Sequence, residues 1–325
     1  MGATPSANYN ANIVDIAQLQ DIIGSGYVNE AKLVKTGAIT RDNRPLTYGT
    51  NVINVIREVF NKTSAGQAPA SDGTISFKDV TDAECRAPVF VRADGANLLT
   101  LQGLISVGGV LDYASLSAEV SSKGGAMIDD SAVKVIEGVA AANTANQSGS
   151  DTIWTLPTLN AARWKRGDAG NQFQNGFLFL RSELMEVLQS GGLVAPTSNT
   201  WGLIGTEVSL TGMIPTIQGM YPVVTDKISL VPSVGNHYAY LLEKGGLIIR
   251  GSDAPIIEIA KIPDGFGNRI MFAVRVAMGV PYMGWNGASD VITDTDLADS
   301  ANWSLKVSAT KAKLVPLVRW ETDES

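Results

Sequence analysis

Apolar residues recur at helical spacing through Asp112–Asn143 (DYASLSAEVSSKGGAMIDDSAVKVIEGVAAAN): Leu116, Val120 and Met127, then Ile128, Ala132, Val135, Ile136 and Val139. Asp112 is a capping residue type, and good helix formers follow it. A continuous helix of this length would run roughly 45 Å, about the width of a small domain. Gly124-Gly125 interrupts the run, at about 1 kcal/mol per glycine relative to alanine, and the apolar stripe changes face there. The pattern predicts a long spine helix, 112–143, kinked at the glycine pair so that its halves pack on different neighbours. Two helices joined by a Gly-Gly turn are the alternative.

Upstream the pattern is shorter-ranged. The first thirty-odd residues are polar and Asn-rich, then carry short helical patches, and read as a flexible arm. Asn51–Asn61 (NVINVIREVFN) sets Val52, Val55, Ile56, Val59 and Phe60 on one helical face, which predicts a lead-in helix. Thr63–Gly73 is a small-residue linker. Thr74–Thr81 and Arg86–Ala93 alternate as strands and are joined by Asp82-Ala83-Glu84-Cys85. A two-stranded ribbon is marginal alone in water, so it is expected to project and be covered by something else. A hairpin on the edge of the chain's own sheet is the alternative.

Downstream, Thr144–Asp151 reads as a loop, and Pro157 suits the first turn of a helix that ends at Gly167. Asn175–Arg181 (NGFLFLR) predicts a short buried strand, and Ser182 caps a helix SELMEVLQ stopped by Gly191-Gly192. Strands are expected around Gly212, at Tyr221–Thr225, at Tyr238–Leu242 and Leu247–Arg250 about Glu243–Gly246, and at Ile256–Ile262 and Arg269–Val280 about PDGFGN. Asn302–Ala309 and Lys313–Arg319 close the chain before an acidic tail. The block from about 150 to 285 reads as a compact α+β domain.

Composition sharpens this. Charged residues make up 18% of the chain, below the quarter typical of soluble domains, which suits a surface largely covered by other chains. A net charge of −7 argues against tight, non-specific nucleic-acid binding. One cysteine, Cys85, excludes an internal disulfide and a Cys-based zinc site, and a single histidine, His237, argues against a His-rich metal site or a conventional His-based triad. No stretch is apolar enough to span a membrane, and the chain is expected to be soluble and intracellular.

Candidate chemistry is sparse. No phosphate-binding glycine loop, nucleophile elbow or H-E-x-x-H occurs. Asp129-Asp130 are adjacent on a helix, point about 100° apart and cannot share a proton. Arg166-Gly167-Asp168 spells an integrin-binding tripeptide but reads as a helix-end turn. Asp290, Asp294, Asp296 and Asp299 form an acidic loop that lacks the glycine and bidentate glutamate of an EF-hand and reads as a solvated loop. No catalytic, cofactor-binding or metal residue is assigned, and the chain is expected not to be an enzyme.

The order of parts resembles the major capsid proteins of tailed bacteriophages, whose fold is shared with encapsulins. Ile128–Asn143 (IDDSAVKVIEGVAAAN) looks like the end of their spine helix. Leu159–Gly170 (LNAARWKRGDAG) and then FLFLRSELMEVL are similar to their helix, turn, strand and capped helix. TIQGMYPVVTDKI and HYAYLLEKGGLII resemble a strand pair and hairpin, and NWSLKVSATKAKLVPLVRW the closing strands. Residues 1 to 60 carry little of the likeness.

The resemblance implies an α+β capsid fold: an N-terminal arm and lead-in helix (1–61), an extended β-ribbon loop (62–95), a peripheral domain (96–150 and 291–325) holding the spine, and an axial domain (151–290). It implies self-assembly through pentamers and hexamers into an icosahedral shell enclosing double-stranded DNA without sequence-specific binding or a membrane. Portal, scaffolding and decoration proteins would be partners, with assembly in the host cytoplasm and residence in the virion. The alternatives are an encapsulin-like compartment shell, or a divalent-metal enzyme using the acidic loop 290–299.

Overall fold

The computed structural model describes residues 28, 30–47, 50–58, 81–100, 113–149, 155–173, 176–190, 217, 219–229, 236–251, 255–261, 267–288, 291–307 and 309–323. Among the described residues the α-helices are α1 (Lys32–Lys35), α2 (Tyr113–Ala142), α3 (Leu156–Arg163), α4 (Ser182–Ser190) and α5 (Asp294–Ala298). The strands fall into two main sheets, both packed on α2.

The first sheet is ordered β1 (Ile39–Arg41), β8 (Leu247–Gly251), β10 (Gly267–Gly279), β3 (Thr81–Thr100), β2 (Thr50–Glu58), and β9 (Ile256–Lys261) also pairs with β10. Along β10 the side chains obey the period of two. Phe272, Val274, Val276 and Met278 are buried in a core shared with Val120, Ile128, Ala132, Val135, Ile136 and Val139 of α2. The predicted spine stripe is therefore core at Val120 and from Ile128 to Val139, with Met127 half-buried against it and the Leu116 side chain outside the described residues. From Ser131 to Ala140 only Lys134 escapes full burial, so this half of the helix is surrounded on all sides.

The second sheet is ordered β4 (Gln147–Ser148), β13 (Leu317–Asp323), β7 (Asn236–Leu242), β5 (Phe177–Leu180), β6 (Tyr221–Val224). Its two faces divide by residue parity. Phe177, Phe179, Tyr240, Leu242 and Leu317 join the spine core. Leu178, Leu180, Ala239, Leu241, Val318 and Trp320 face a second core with Leu159, Ala162, Leu184 and Met185 from α3 and α4. A small pair, β11 (Met283–Trp285) with β12 (Trp303–Leu305), completes the set, with the Trp285 and Trp303 rings edge to face at 5.0 Å.

Several expectations are corrected. The spine is one helix, as its main reading has it, and it is the alternative of two helices joined at Gly124-Gly125 that falls. Gly125 instead admits a close approach: a Cβ there would lie 2.7 Å from the Glu30 carbonyl carbon and 2.8 Å from the Ala31 nitrogen. The segment predicted as a lead-in helix is strand β2 as far as Glu58. Its β-branched residues pair antiparallel with β3, from Thr50 opposite Pro88 to Glu58 opposite Thr81. Asp82–Cys85 is not a turn but part of β3, a single strand of 20 residues. Its second half pairs with β10, Val89 opposite Ala277 and Leu98 opposite Asn268. The ribbon's described arms are thus β2 and β3, rooted in the chain's own sheet; residues 74–80, like the linker 63–73, lie outside the described residues.

Glu243–Gly246 does not close a hairpin. The chain leaves β7 in one sheet and enters β8 in the other, through Gly245 at φ 74° and Gly246 N–H donating to the Glu243 carbonyl at 2.8 Å. The reason is competition for edges: β13 takes β7, Leu317 opposite Leu242, while β8 lies between β1 and β10. The closing strands are also redrawn, with a 3-10 turn at Ala309–Leu314 between β12 and β13. The buried strand β5 and the helix after it are where expected. Ser182, however, donates its hydroxyl to Asp226 Oδ1 at 2.7 Å, and its own N–H goes to the same oxygen. Asp112, Gly191-Gly192, the Gly212 hairpin and the PDGF part of the PDGFGN turn lie outside the described residues.

Candidate assembly surface

Charged groups gather the segments that meet at the spine. Arg92 on β3 donates to Ser131 Oγ of α2 at 3.2 Å, to the Ile292 carbonyl at 2.8 Å and to Asp294 at 2.6 Å, with its guanidinium 4.7 Å from the Phe90 ring centroid. Lys123 of α2 pairs with Asp94, two residues further along β3. On the opposite side of the sheet order, buried Arg250 of β8 holds Asp42, Asn51 and the Val52 carbonyl. At the other sheet, Glu137 of α2 accepts from the Ser229 N–H and hydroxyl and from Lys134.

The acidic loop is consumed by such contacts. Asp294 is paired with Arg92, Asp296 accepts from the Thr293 N–H and hydroxyl as the capping box of α5, and Asp299 accepts from the Ala301 N–H. The Thr293 donors hold the Asp296 carboxyl below its ordinary range. Among the described residues no group of three His, Cys, Asp or Glu side chains is placed to hold a metal. Asp290 lies outside them. Asp296 and Asp299 thus serve as local caps and Asp294 as an ion-pair partner.

Arg166 is buried, and Gly167 takes the left-handed backbone at φ 64° within the 3-10 segment Trp164–Phe173 that follows α3. The tripeptide is therefore folded in at its arginine. Cys85 is fully buried beside Ile53, Ala87 and Ala277, and burial pushes its thiol up, away from nucleophile chemistry. His237 is buried on β7 opposite Thr322.

Asp129 and Asp130 diverge as the helix geometry requires. Asp130 pairs with Lys227, whereas Asp129 accepts from the Lys32 and Leu33 N–H groups at 2.9 and 3.1 Å, capping α1 from another element. Burial outweighs those two bonds and pushes the Asp129 carboxyl up to about 6. A carboxyl raised in this way binds its proton more tightly folded than unfolded. Its contribution to stability is full below about pH 4 and is lost as the pH rises through about 6. Asp129→Asn should abolish that slope. Denaturation free energies of the two proteins, compared from about pH 4 to 7, should diverge by an amount on the order of 2 kcal/mol; a constant difference would refute the assignment.

Among the described residues, one sheet face is exposed. Opposite the spine, the β9–β10–β3 part of the first sheet presents Val91 (48% exposed), Met271 (44%) and Ile256 (51%). Ala93 opposes Ala273, which opposes Ile256 on its other side, so these side chains form one continuous apolar patch. Glu258 and Arg275 stand on its rim. The same face is covered at its other end by Ile53, Cys85, Ala87 and Ala277. Burying each of the three large side chains would stabilise a complex by about 1 kcal/mol or more. The alternation of Arg269–Val280 already carried this signal, since Met271 and Ala273 alternate with Phe272 and Val274. The hubs Arg92, Arg166 and Arg250 carried no pattern at all.

In sequence the chain matches no family model and no curated protein. In structure it is similar to the capsid of Ralstonia phage GP4, with a TM-score of 0.56 at 5% identity, covering 89% of this chain and 87% of that one. It is also similar to the cyanophage Pam1 capsid asymmetric unit, with a TM-score of 0.51 at 9% identity, covering 92% of this chain and 93% of that one. At such identities the likeness is one of fold. The α+β fold of tailed-phage capsid proteins, expected from the order of elements, is the fold this chain has.

Proposed function

We propose that this chain is a major capsid protein, assembling through pentamers and hexamers into an icosahedral shell around a double-stranded DNA phage genome. The observation that carries the reading is a fold shared with a phage capsid over 89% of this chain and 87% of that one. The bare apolar sheet face supports it, because a repeated contact between copies would cover such a patch. On this reading the role is structural and not catalytic. Residues 96–150 and 291–325 form a peripheral domain, 151–290 an axial domain, 62–95 a ribbon laid on a neighbouring copy and 1–61 an arm. Portal, scaffolding and decoration proteins are its further partners, with assembly in the host cytoplasm and residence in the virion. A net charge of −7 suits DNA held by enclosure more than by affinity. The compartment-shell reading gains no observation of its own.

Size-exclusion chromatography and negative-stain electron microscopy of the full chain test this directly. Closed shells, or rings of five and six, are expected; a monomer that persists at high concentration and with a scaffolding partner would overturn the reading. The ribbon can be tested separately. Glu58 and Thr81 stand opposite each other in register, so an Asn-Gly turn can replace 59–80 without disturbing β2 or β3. The shortened subunit should melt at an unchanged temperature yet form no shells. Normal particles from it would remove residues 59–80 of the ribbon from assembly. A deletion reaching further into β3 would instead strip β10 of its partner and test only folding.

A further inference from the structure

Buried Arg166 draws three distant segments together. Its Nε donates to the Lys313 carbonyl at 2.9 Å, one terminal nitrogen to the Leu314 carbonyl at 2.9 Å, and the other to Glu243 at 3.0 Å. Each segment carries an exposed lysine next to or at the tethered position: Lys165 beside Arg166, Lys244 beside Glu243, and Lys313 itself. Among the described residues these three lysines make no ion pair. Glu243, the carboxylate next to Lys244, is already engaged by Arg166. Trp164, next to Lys165 in the chain, is 47% exposed with the Arg163 guanidinium 5.8 Å from its ring centroid, and Leu314, next to Lys313, is 40% exposed. A chain of net charge −7 thus carries a local basic patch around a flat aromatic face.

We propose that this patch, centred on Trp164 with Lys165, Lys244 and Lys313, is a sequence-independent contact for the phosphate backbone of double-stranded DNA. The proposal rests on the capsid reading, in which it marks the face turned to the enclosed genome. Lysine acts on phosphate as a mobile point charge, and needs no preset geometry. Protein–protein interface cores, by contrast, are depleted in lysine, which disfavours a second copy as the occupant. Three phosphate contacts are individually weak, so the acidic balance of the chain is not contradicted. Repetition over a shell would multiply them.

The test is fluorescence anisotropy of a short labelled duplex of random sequence against the full-length, unassembled chain over a salt series. Three released counterions predict a log–log salt slope near −2.7, or about a forty-fold loss of affinity between about 50 and 200 mM salt. The triple variant Lys165→Gln, Lys244→Gln, Lys313→Gln should lose nearly all of that slope, and the corresponding triple arginine variant should keep it. No binding by the wild type, or the same slope in the glutamine variant, would overturn the proposal. So would a glutamine variant that keeps its DNA affinity but no longer assembles, which would make the patch a contact between copies. Failure of the wild type to form shells would count against the capsid reading alone, since the salt slope is read on the subunit.

Discussion

Arg166→Ala should cost about 3–5 kcal/mol of folding free energy, the range for removing one partner of a buried, hydrogen-bonded ion pair. The guanidinium is almost wholly enclosed, with 1% of its side chain exposed. Burial lowers its pKa and the Glu243 carboxylate acts against that shift. Truncation would strand the Lys313 and Leu314 carbonyls and leave Glu243 without its cation. It would also remove the cation above Phe173, whose ring centroid is 5.2 Å from the guanidinium. Arg166→Lys keeps the charge but not the planar fork that reaches three acceptors, and should recover less than half of the loss. Chemical denaturation of the three proteins measures this. A loss under about 1 kcal/mol in the alanine variant would mean that water replaces the fork and that the segments hold together without it.

How much of this was legible beforehand depends on the range of the interaction. The spine core followed from local spacing: Ile128, Ala132, Val135, Ile136 and Val139 repeat as a helix requires and are buried as a helix buries them. The strand β5 was equally plain. The β2 segment was not, because Val52, Val55 and Ile56 satisfy helical spacing while strand β3, more than twenty residues on, decides the outcome by pairing. Nor could the turn at 243–246 reveal that its two strands part company, since the strand that captures β7 is the last in the chain. The acidic loop was visible as a cluster of carboxylates, but its Asp294 is claimed by Arg92, which also reaches a carbonyl 200 positions away. An isolated arginine leaves no periodic trace.

Gly138→Ala is expected to destabilise the protein by about 2 kcal/mol, although helix propensity alone predicts a gain of up to about 1 kcal/mol. The sign turns on what lies against the helix. An added Cβ at Gly138 would collide with the Leu297 carbonyl of α5, and would meet Trp303 Nε1 at 2.7 Å and Cδ1 at 3.0 Å. Those two groups are hydrogen-bonded to each other, Trp303 Nε1 donating to the Leu297 carbonyl at 2.9 Å in the interior. The methyl group must therefore part a buried donor from its acceptor or move the spine away from α5, and overpacking of this kind costs about 1–3 kcal/mol. Gly125→Ala meets backbone as well, at Glu30 and Ala31. Its neighbour, however, is a short segment near one end of the described chain, so release there is local. Hydrogen exchange should separate the two variants. Gly125→Ala should speed exchange at the Lys32 and Leu33 amides that Asp129 holds, with the second sheet unaffected, whereas Gly138→Ala should lower protection across the spine core. If Gly138→Ala proved neutral or stabilising, α5 would have to be free to lift from the spine, and the junction that joins Arg92 to the acidic loop could not be rigid.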